Sequence, residues 1–393
     1  MKTKTIILIL GFAGFTVLAD NWVVSPILPA ISAYFDEDIS TAGLLITAYM
    51  IPFGLFQLVF GPLADRFGKR QVINFAMLFF SISAVLCSFA GSTTQLLIFR
   101  ALTGIFAASV VPVSLALIGD LVPLSQRQSA IGSFMGISFL GQSFSMTIGG
   151  TVAYFLNWRG VFAIYALLAV ISTFMLFTTG RQIPSAKNPN SKLLAPYVKL
   201  LSSSISIRTY LVILFEGIFI IGTFSYLGAY ISKAYQFNYL YIGLIMTAFG
   251  LAAITGGRLS GRMAAKWGRK TMLTLGLLLA AAADILFHTV GGVLPTLVLG
   301  VTLLGFGFTL AHSTLITMAT EFAAQSRGAA MSLVAFCLMG GGGIGTAIGG
   351  RIIQNNGFSV IFELHAVGLA ILAVTALLIV QTGITTDIIS ESK

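Results

Sequence analysis

Long apolar runs, each near the length of a bilayer-crossing helix, recur from one end of this chain to the other. A hydrocarbon core of about 30 Å takes about 20 helical residues to cross. Twelve runs meet that length: residues 6–30, 41–62, 72–90, 94–118, 128–154 and 160–179, then 209–232, 241–262, 271–289, 294–318, 327–350 and 358–381. Helices are expected because a segment in lipid must satisfy its own backbone groups, and the runs are too long for barrel strands. The predicted fold class is therefore an all-α membrane protein of twelve transmembrane helices. The first run is read as a span and not a cleaved signal, since it is long, carries Asp20, Pro26 and Pro29, and lacks a small-residue cleavage site.

Composition agrees with that pattern. The chain is 57% hydrophobic and 9% charged, with a mean hydropathy of +0.97, whereas a soluble domain carries roughly 25% charged residues. The net charge of +10 changes the picture only through its placement. With the N-terminus inside, all but Arg100, Arg159, Lys233 and Arg351 of the 22 Lys and Arg fall in loops on the cytoplasmic side. The charge is thus a topology signal and implies no nucleic-acid partner. It predicts a multi-pass protein of a bacterial inner membrane with both termini cytoplasmic. Cys87 and Cys337 lie inside runs, so no disulfide framework is expected.

A shift of 200 residues brings one half onto the other. Thr47-Ala48-Tyr49 meets Thr247-Ala248-Phe249, Lys69-Arg70 meets Arg269-Lys270, Arg127 meets Arg327, and Gly149-Gly150 meets Gly349-Gly350. The expected organisation is a six-helix bundle over 1–180, a cytoplasmic linker over 181–208 and a second bundle over 209–393. The linker is rich in Pro, Ser, Asn and Lys, with a short amphipathic helix expected around Leu193 to Leu201. Parallel six-helix repeats around a central cavity are one design of secondary transporters.

The loop Gly61-Pro62-Leu63-Ala64-Asp65-Arg66-Phe67-Gly68-Lys69-Arg70 resembles the signature loop of the major facilitator superfamily, and a degenerate copy runs from Gly261 to Lys270. The resemblance extends to helix count, linker and basic loops. It implies a gating role for Asp65 and Arg66, as an inter-bundle charge latch of the outward-open state. Lys69 and Arg70 read equally well as topology markers. Leu97-Ile98-Phe99-Arg100-Ala101-Leu102-Thr103-Gly104 is similar to the family's arginine motif, with Thr103 where many members carry Gln. In the twelve-helix bacterial drug/proton antiporters of this superfamily that motif is tied to proton transfer. Gly132, Gly141, Gly149 and Gly150 match the antiporter glycine pattern, but Ser145-Met146 stands where those proteins have Gly-Pro.

Ionisable residues inside the runs are the candidate chemistry, because a charge at mid-bilayer is costly and is normally kept for function. Asp20 sits within about 3 Å of the middle of the first run, just before Asn21-Trp22 and a Pro-containing stretch. Arg100 lies about 6 Å away in depth on the fourth run, within reach of a guanidinium. Glu216 is about 11 Å into the seventh run, with no partner predicted. These three are the candidate proton-coupling residues. Asn21, Trp22, Gln57, Gln142 and His312 are the candidate cavity residues, although a histidine such as His312 is more often simply packed or hydrogen-bonded. Asp284 and Glu363 lie toward run ends and are expected to reach the surface. Asp120 with Arg127, and Glu321 with Arg327, read as inner-loop pairs.

No Gly-Lys-Ser/Thr loop for ATP is present, and His288, His312 and His365 stand apart without HExxH or paired Cys, so no metal or other cofactor is expected. An enzyme would need a nucleophile or paired acids at catalytic spacing, and neither is visible. A channel fits duplicated halves with central acids less well than alternating access does. The expected function is a proton-coupled transporter exporting small hydrophobic or cationic compounds as a monomer, its partners being substrate, protons and lipid. The alternative is a permease for a sugar or other polar metabolite, for which Asn21, Gln57 and Gln142 are a thin supply of polar groups.

Overall fold

The computed structural model describes residues 3–187, 195–289, 293–323 and 327–379, which contain sixteen α-helices and no strand. The N-terminal half comprises α1 (Thr3–Trp22) and α2 (Val24–Phe35), α3 (Ile39–Phe67), α4 (Lys69–Ser88), α5 (Thr93–Ala107) with α6 (Val110–Leu121), α7 (Leu124–Phe155) and α8 (Trp158–Phe177). A short α9 (Ala195–Leu201) follows. The second half comprises α10 (Ser204–Glu216), a π-helical turn (Gly217–Ile221) and α11 (Gly222–Tyr235), then α12 (Tyr239–Trp267), α13 (Arg269–Thr289), α14 (Leu294–Phe322), α15 (Arg327–Asn356) and α16 (Phe358–Ile379).

Among the described residues, eleven helical stretches are long and apolar enough to cross a membrane. The 32-residue α7, whose apolar residues are diluted by Gly and Ser, makes the twelfth expected crossing. The helices overrun the predicted spans, α2 by several residues and α12 to Trp267, because hydropathy registers only the part within hydrocarbon. Large apolar side chains such as Phe174, Leu167, Ile371 and Leu378 stand exposed on the outside of the bundles, as lipid-facing residues would. The expected linker helix is α9; Leu193 and Leu194, with the rest of 188–194, lie outside the described residues, as does the C-terminal segment 380–393.

Proline places most of the breaks. Pro26 has no N–H for the carbonyl of Trp22, and the first span divides at Val23. Pro112 likewise deprives Ala108, where α5 gives way to α6. In α3, Pro62 frees the carbonyl of Leu58, and the hydroxyl of Tyr197 on α9 donates to it at 3.1 Å. The linker helix is thereby fastened to the proline of the signature loop. The π-turn after Glu216 involves no proline; such turns commonly mark functional positions.

The halves touch along one end of the molecule and part at the other. We name the end carrying α9 the linker face and the opposite end the far face. Toward the far face, Ser25 on α2 donates to the carbonyls of Phe224 and Ser225 at 2.8 and 3.0 Å. Gln354 on α15 donates to Asp38 at 2.7 Å, and Thr147 and Thr247 share a 2.6 Å bond between α7 and α12. A methyl added at Gly228 would overlap the Ser25 carbonyl, and one at Gly243 the Met146 carbonyl. Small residues allow this backbone approach, which in lipid supplies much of the packing energy. Toward the linker face the same helices separate: Gly132, Gly136, Gly261 and Gly328 have nothing within 4 Å of where a Cβ would sit. A hollow of about 420 Å³ lined by Ser260, Gly261, Arg269, Ser313, Thr314 and Thr317 lies at that end of the second half.

Candidate functional site: a buried ion pair beside an aromatic centre

Two opposite charges deep in a bundle must find each other or leave the fold with an uncompensated charge. Asp20 and Arg100 are each 1% exposed, and Arg100 Nη1 donates to Asp20 Oδ2 at 2.8 Å. The guanidinium also lies 4.3 Å from the ring centroid of Tyr49 and 5.7 Å from that of Phe162. Arg100, only two turns from the far end of its span, therefore points inward and does not snorkel. The pair keeps open positions: Asp20 Oδ1, Arg100 Nε and the Tyr49 hydroxyl have no hydrogen-bond partner among the described residues. A change of protonation there meets no rigid network.

Ser145 explains the departure from the antiporter glycine pattern in physical terms. Its hydroxyl donates to the carbonyl of Ala19 at 2.6 Å, and the Tyr165 hydroxyl donates to the Ser145 carbonyl at 3.3 Å. One turn earlier, Gly141 sits directly on the Phe15 backbone. α7 is thus bonded to α1 beside Asp20, a role that a Gly-Pro pair has no side-chain donor to fill.

From Trp22, two residues after Asp20, an aromatic run crosses to the second half. Trp22 meets Phe224 with centroids 5.2 Å apart, Phe224 meets Phe249 at 4.5 Å, Phe249 meets Phe308 at 5.9 Å, and Phe308 stacks on His312 at 5.1 Å. Gln142 and Trp22 border a void of about 10 Å³ between the halves, on the scale of one water. Asn21 is buried with neither amide atom hydrogen-bonded, and Gln57 is buried in α3. His312 Nδ1 lies 3.0 Å from Glu216 Oε2, so Glu216 has a partner that its isolation in sequence does not predict. Glu216 is the last residue before the π-turn and is fully buried. The structure thus pairs Asp20 with Arg100 inside the first half, and joins Trp22 through the aromatic run to His312 and Glu216 in the second.

Contrary to what its place near the end of its run predicts, Asp284 does not reach the surface. It is fully buried, and the Thr223 hydroxyl bridges its Oδ1 at 2.9 Å and His365 Nδ1 at 2.8 Å. The available signal was a lone carboxylate after Ala280-Ala281-Ala282-Ala283 in an otherwise apolar run. Glu363 is exposed, as expected.

Among the described residues, Asp65 and Arg66 form no ion pair between the halves. Asp65 pairs with Lys69 at 3.2 Å, and Arg66 lies over Phe67. Lys69 also holds Asp120 at 2.7 Å, and in the second half Arg269 pairs with Glu321. These repeat-related pairs replace the expected Asp120–Arg127 and Glu321–Arg327 pairs; Arg127 reaches only the Val122 carbonyl. Arg70 donates to the carbonyls of Arg181 and Ile183, anchoring the start of the linker. Lys69 and Arg70 therefore do more than mark topology.

Comparison with known proteins agrees with this architecture. The family model of the Major Facilitator Superfamily matches residues 10–238 and 209–388. The uncharacterized MFS-type transporter YceJ of Bacillus subtilis is 28% identical, with 87% of each chain covered. A probable sugar efflux transporter of Helicobacter pylori is 24% identical over 90% of each chain. The multidrug resistance protein fnx1 of Schizosaccharomyces pombe is 30% identical over 49% of this chain and 36% of its own. A bacterial homolog of the human lysosomal transporter Spinster, solved inward-facing and unoccupied, superposes with a TM-score of 0.74 at 19% identity, covering 96% and 94% of the chains. With the duplicated helices, the signature loop and the intramembrane pair, these matches establish that the chain belongs to the major facilitator superfamily and is a multi-pass membrane transporter of small molecules.

Proposed function

We propose that this transporter is a proton-coupled exporter of small lipophilic or cationic compounds, working as a monomer by alternating access in a bacterial inner membrane. The observation that carries this reading is the closed, fully buried Asp20–Arg100 pair at mid-span. When Asp20 accepts a proton, Arg100 loses its anionic partner and keeps the Asp20 carbonyl and the faces of Tyr49 and Phe162. One proton thereby changes how spans 1 and 4 pack, and a change in packing biases the exchange between two arrangements of the halves. Basic loops crowd the linker face, so that face is the cytoplasmic one, and the arrangement open there is the inward-open state. The aromatic centre offers an apolar, polarisable surface with few fixed donors, which suits a lipophilic or cationic cargo. Export as the direction is supported by the Helicobacter relative, a probable sugar efflux transporter, and a drug cargo by the Schizosaccharomyces multidrug resistance protein.

Glu216 and His312 form a second ionisable pair at the other wall and select for positive charge. Glu216→Gln is expected to lose cationic cargo while keeping neutral cargo; a variant with unchanged substrate range in a vesicle transport panel removes Glu216 from the site. Asp65 and Arg66 act as the latch when the linker face closes, so in the inward-open arrangement Asp65 rests on Lys69. Asp65→Asn should cut transport strongly at normal expression and substrate binding. Loss of membrane insertion in that variant instead marks Asp65 as structural.

The Helicobacter relative, together with Asn21 and Gln142 near Trp22, favours one second reading, a sugar or polar-metabolite permease. Proteoliposomes with an imposed pH gradient, tested with dyes, cationic antibiotics and sugars, separate the two. Dye or antibiotic movement opposite to protons supports the export reading, and sugar transport alone overturns it.

A further inference from the structure

The buried cluster of Thr223, Asp284 and His365 is used by none of the steps above. It lies wholly within the second half, where α11, α13 and α16 meet, about 10 Å along the span from Glu216 toward the far face. Its members are 0%, 0% and 5% exposed. No Lys or Arg pairs with Asp284 among the described residues, and Asp284 Oδ2 has no hydrogen-bond donor. A buried carboxylate without a cation is costly unless a proton or a protonated neighbour compensates it. Among the described residues, His365 is the only other ionisable group bonded into the cluster.

The Thr223 hydroxyl gives the cluster two arrangements in which every one of its hydrogen bonds is made. In one, His365 Nδ1–H donates to Thr223 Oγ1, whose own hydrogen is donated to Asp284 Oδ1. In the other, protonated Asp284 Oδ1 donates to Thr223 Oγ1, which donates to His365 Nδ1. Moving from the first to the second breaks the Nδ1–H bond and forms an Oδ1–H bond through the hydroxyl, with the Nε2–H kept throughout, so that an imidazolium and a carboxylate become a neutral imidazole and a carboxylic acid. One proton is relayed, and no electron is transferred. In the first arrangement Asp284 is a carboxylate, and its unpartnered Oδ2 can take an additional proton; in the second Asp284 is already a neutral acid.

We infer that Thr223, Asp284 and His365 form a proton-binding site in the second half, separate from Asp20 and Arg100, with the Thr223 hydroxyl as relay. Among the described residues, the helices around it supply no competing charge. On α11, the Tyr226 hydroxyl donates to the Thr346 carbonyl of α15, the Tyr230 hydroxyl donates to the Phe287 carbonyl, and Lys233 lies over Phe358. On α13, exposed His288 is bonded to Ser359, and on α16 Glu363 is exposed. Glu216, before the π-turn, is bonded to His312 on α14. α11 also bears the far-face seal, since the carbonyls of Phe224 and Ser225 accept from Ser25 immediately after Thr223. Opening that seal moves the relay hydroxyl relative to partners on two other helices, which links proton occupancy to the gate.

The test is pH-dependent infrared difference spectroscopy of the full chain in lipid nanodiscs, which needs no substrate. Wild type should show a buried carboxylic C=O band that D284N removes and T223V shifts, with H365Q removing the accompanying imidazole signal. T223V keeps the side-chain volume and deletes only the hydroxyl, so it decides the relay even if D284N folds poorly. D20N should leave the Asp284 band in place, which separates this site from the proposed coupling pair. A D284N spectrum that superimposes on wild type, or a T223V band at the wild-type position, overturns the inference.

Discussion

Vesicles carrying Asp20→Asn are expected to exchange substrate down its gradient while building none from an imposed pH difference. One proton moving down one pH unit sustains at most about a tenfold substrate gradient, the ratio that about 1.4 kcal/mol supports. The variant should fall from that ratio to about one. Asparagine removes the charge that Arg100 faces, a change that costs about 3–5 kcal/mol when one partner of a buried pair is lost outright, but it retains an acceptor for Arg100 Nη1 at the same position, so the fold loses less than it would with Asp20→Ala. It cannot take up a proton, and coupling is lost while the cavity remains. If Asp20→Asn vesicles still concentrate substrate from a pH gradient, Asp20 has no coupling role and Glu216 is left as the candidate.

Gly228→Val is expected to be nearly as severe for a wholly different reason. A Cβ there would overlap the Ser25 carbonyl and crowd Pro26 Cα, both backbone atoms of α2 that cannot swing aside. α11 must move away, and with it go the two bonds from Ser25 to Phe224 and Ser225. Overpacking of this kind costs about 1–3 kcal/mol, and every 1.4 kcal/mol shifts the balance between sealed and unsealed far faces about tenfold. Transport should drop by a comparable factor. A cysteine introduced at Ser32, buried toward the far end of α2, should become open to a membrane-impermeant thiol reagent. Wild-type transport by the Gly228→Val variant would rule out the seal.

What was legible in the sequence, and what was not, follows from the range over which each signal acts. Asp20 and Arg100 were legible because a charge inside an apolar run is conspicuous and because run boundaries set depth, which brought them within reach. Depth does not give azimuth. Asp284 was misplaced because a position five residues from the end of α13 says how near the membrane surface it lies, and not that α11 and α16 cover it. The His312–Glu216 bond joins residues 96 apart on different helices, so nothing local announces it. The inner-loop pairs went wrong for a related reason. Arg127 and Arg327 follow the acids in sequence, but Lys69 and Arg269 stand next to them in space, and the 200-residue repeat relates those two bases. Ser145 was visible as a departure from a pattern, while its purpose as a donor to Ala19 appeared only with the crossing of α1 and α7. In the proposed alternation one sequence serves both arrangements of the halves, so it carries no sign of which face is sealed.

The most direct test of coupled alternation is a pair of inter-half distances followed with pH by spin-label spectroscopy in nanodiscs. Phe67 and Trp267, exposed at the linker ends of α3 and α12, report one face, and Tyr154 and Tyr241, exposed toward the far ends of α7 and α12, report the other. Both native cysteines are buried, so labels go to introduced ones. Coupled alternation predicts that as pH is varied one distance shortens while the other lengthens, and that Asp20→Asn largely abolishes the response, leaving at most a residual part from the Asp284 cluster. Distances that ignore pH in wild type, or that change together at both faces, would contradict it.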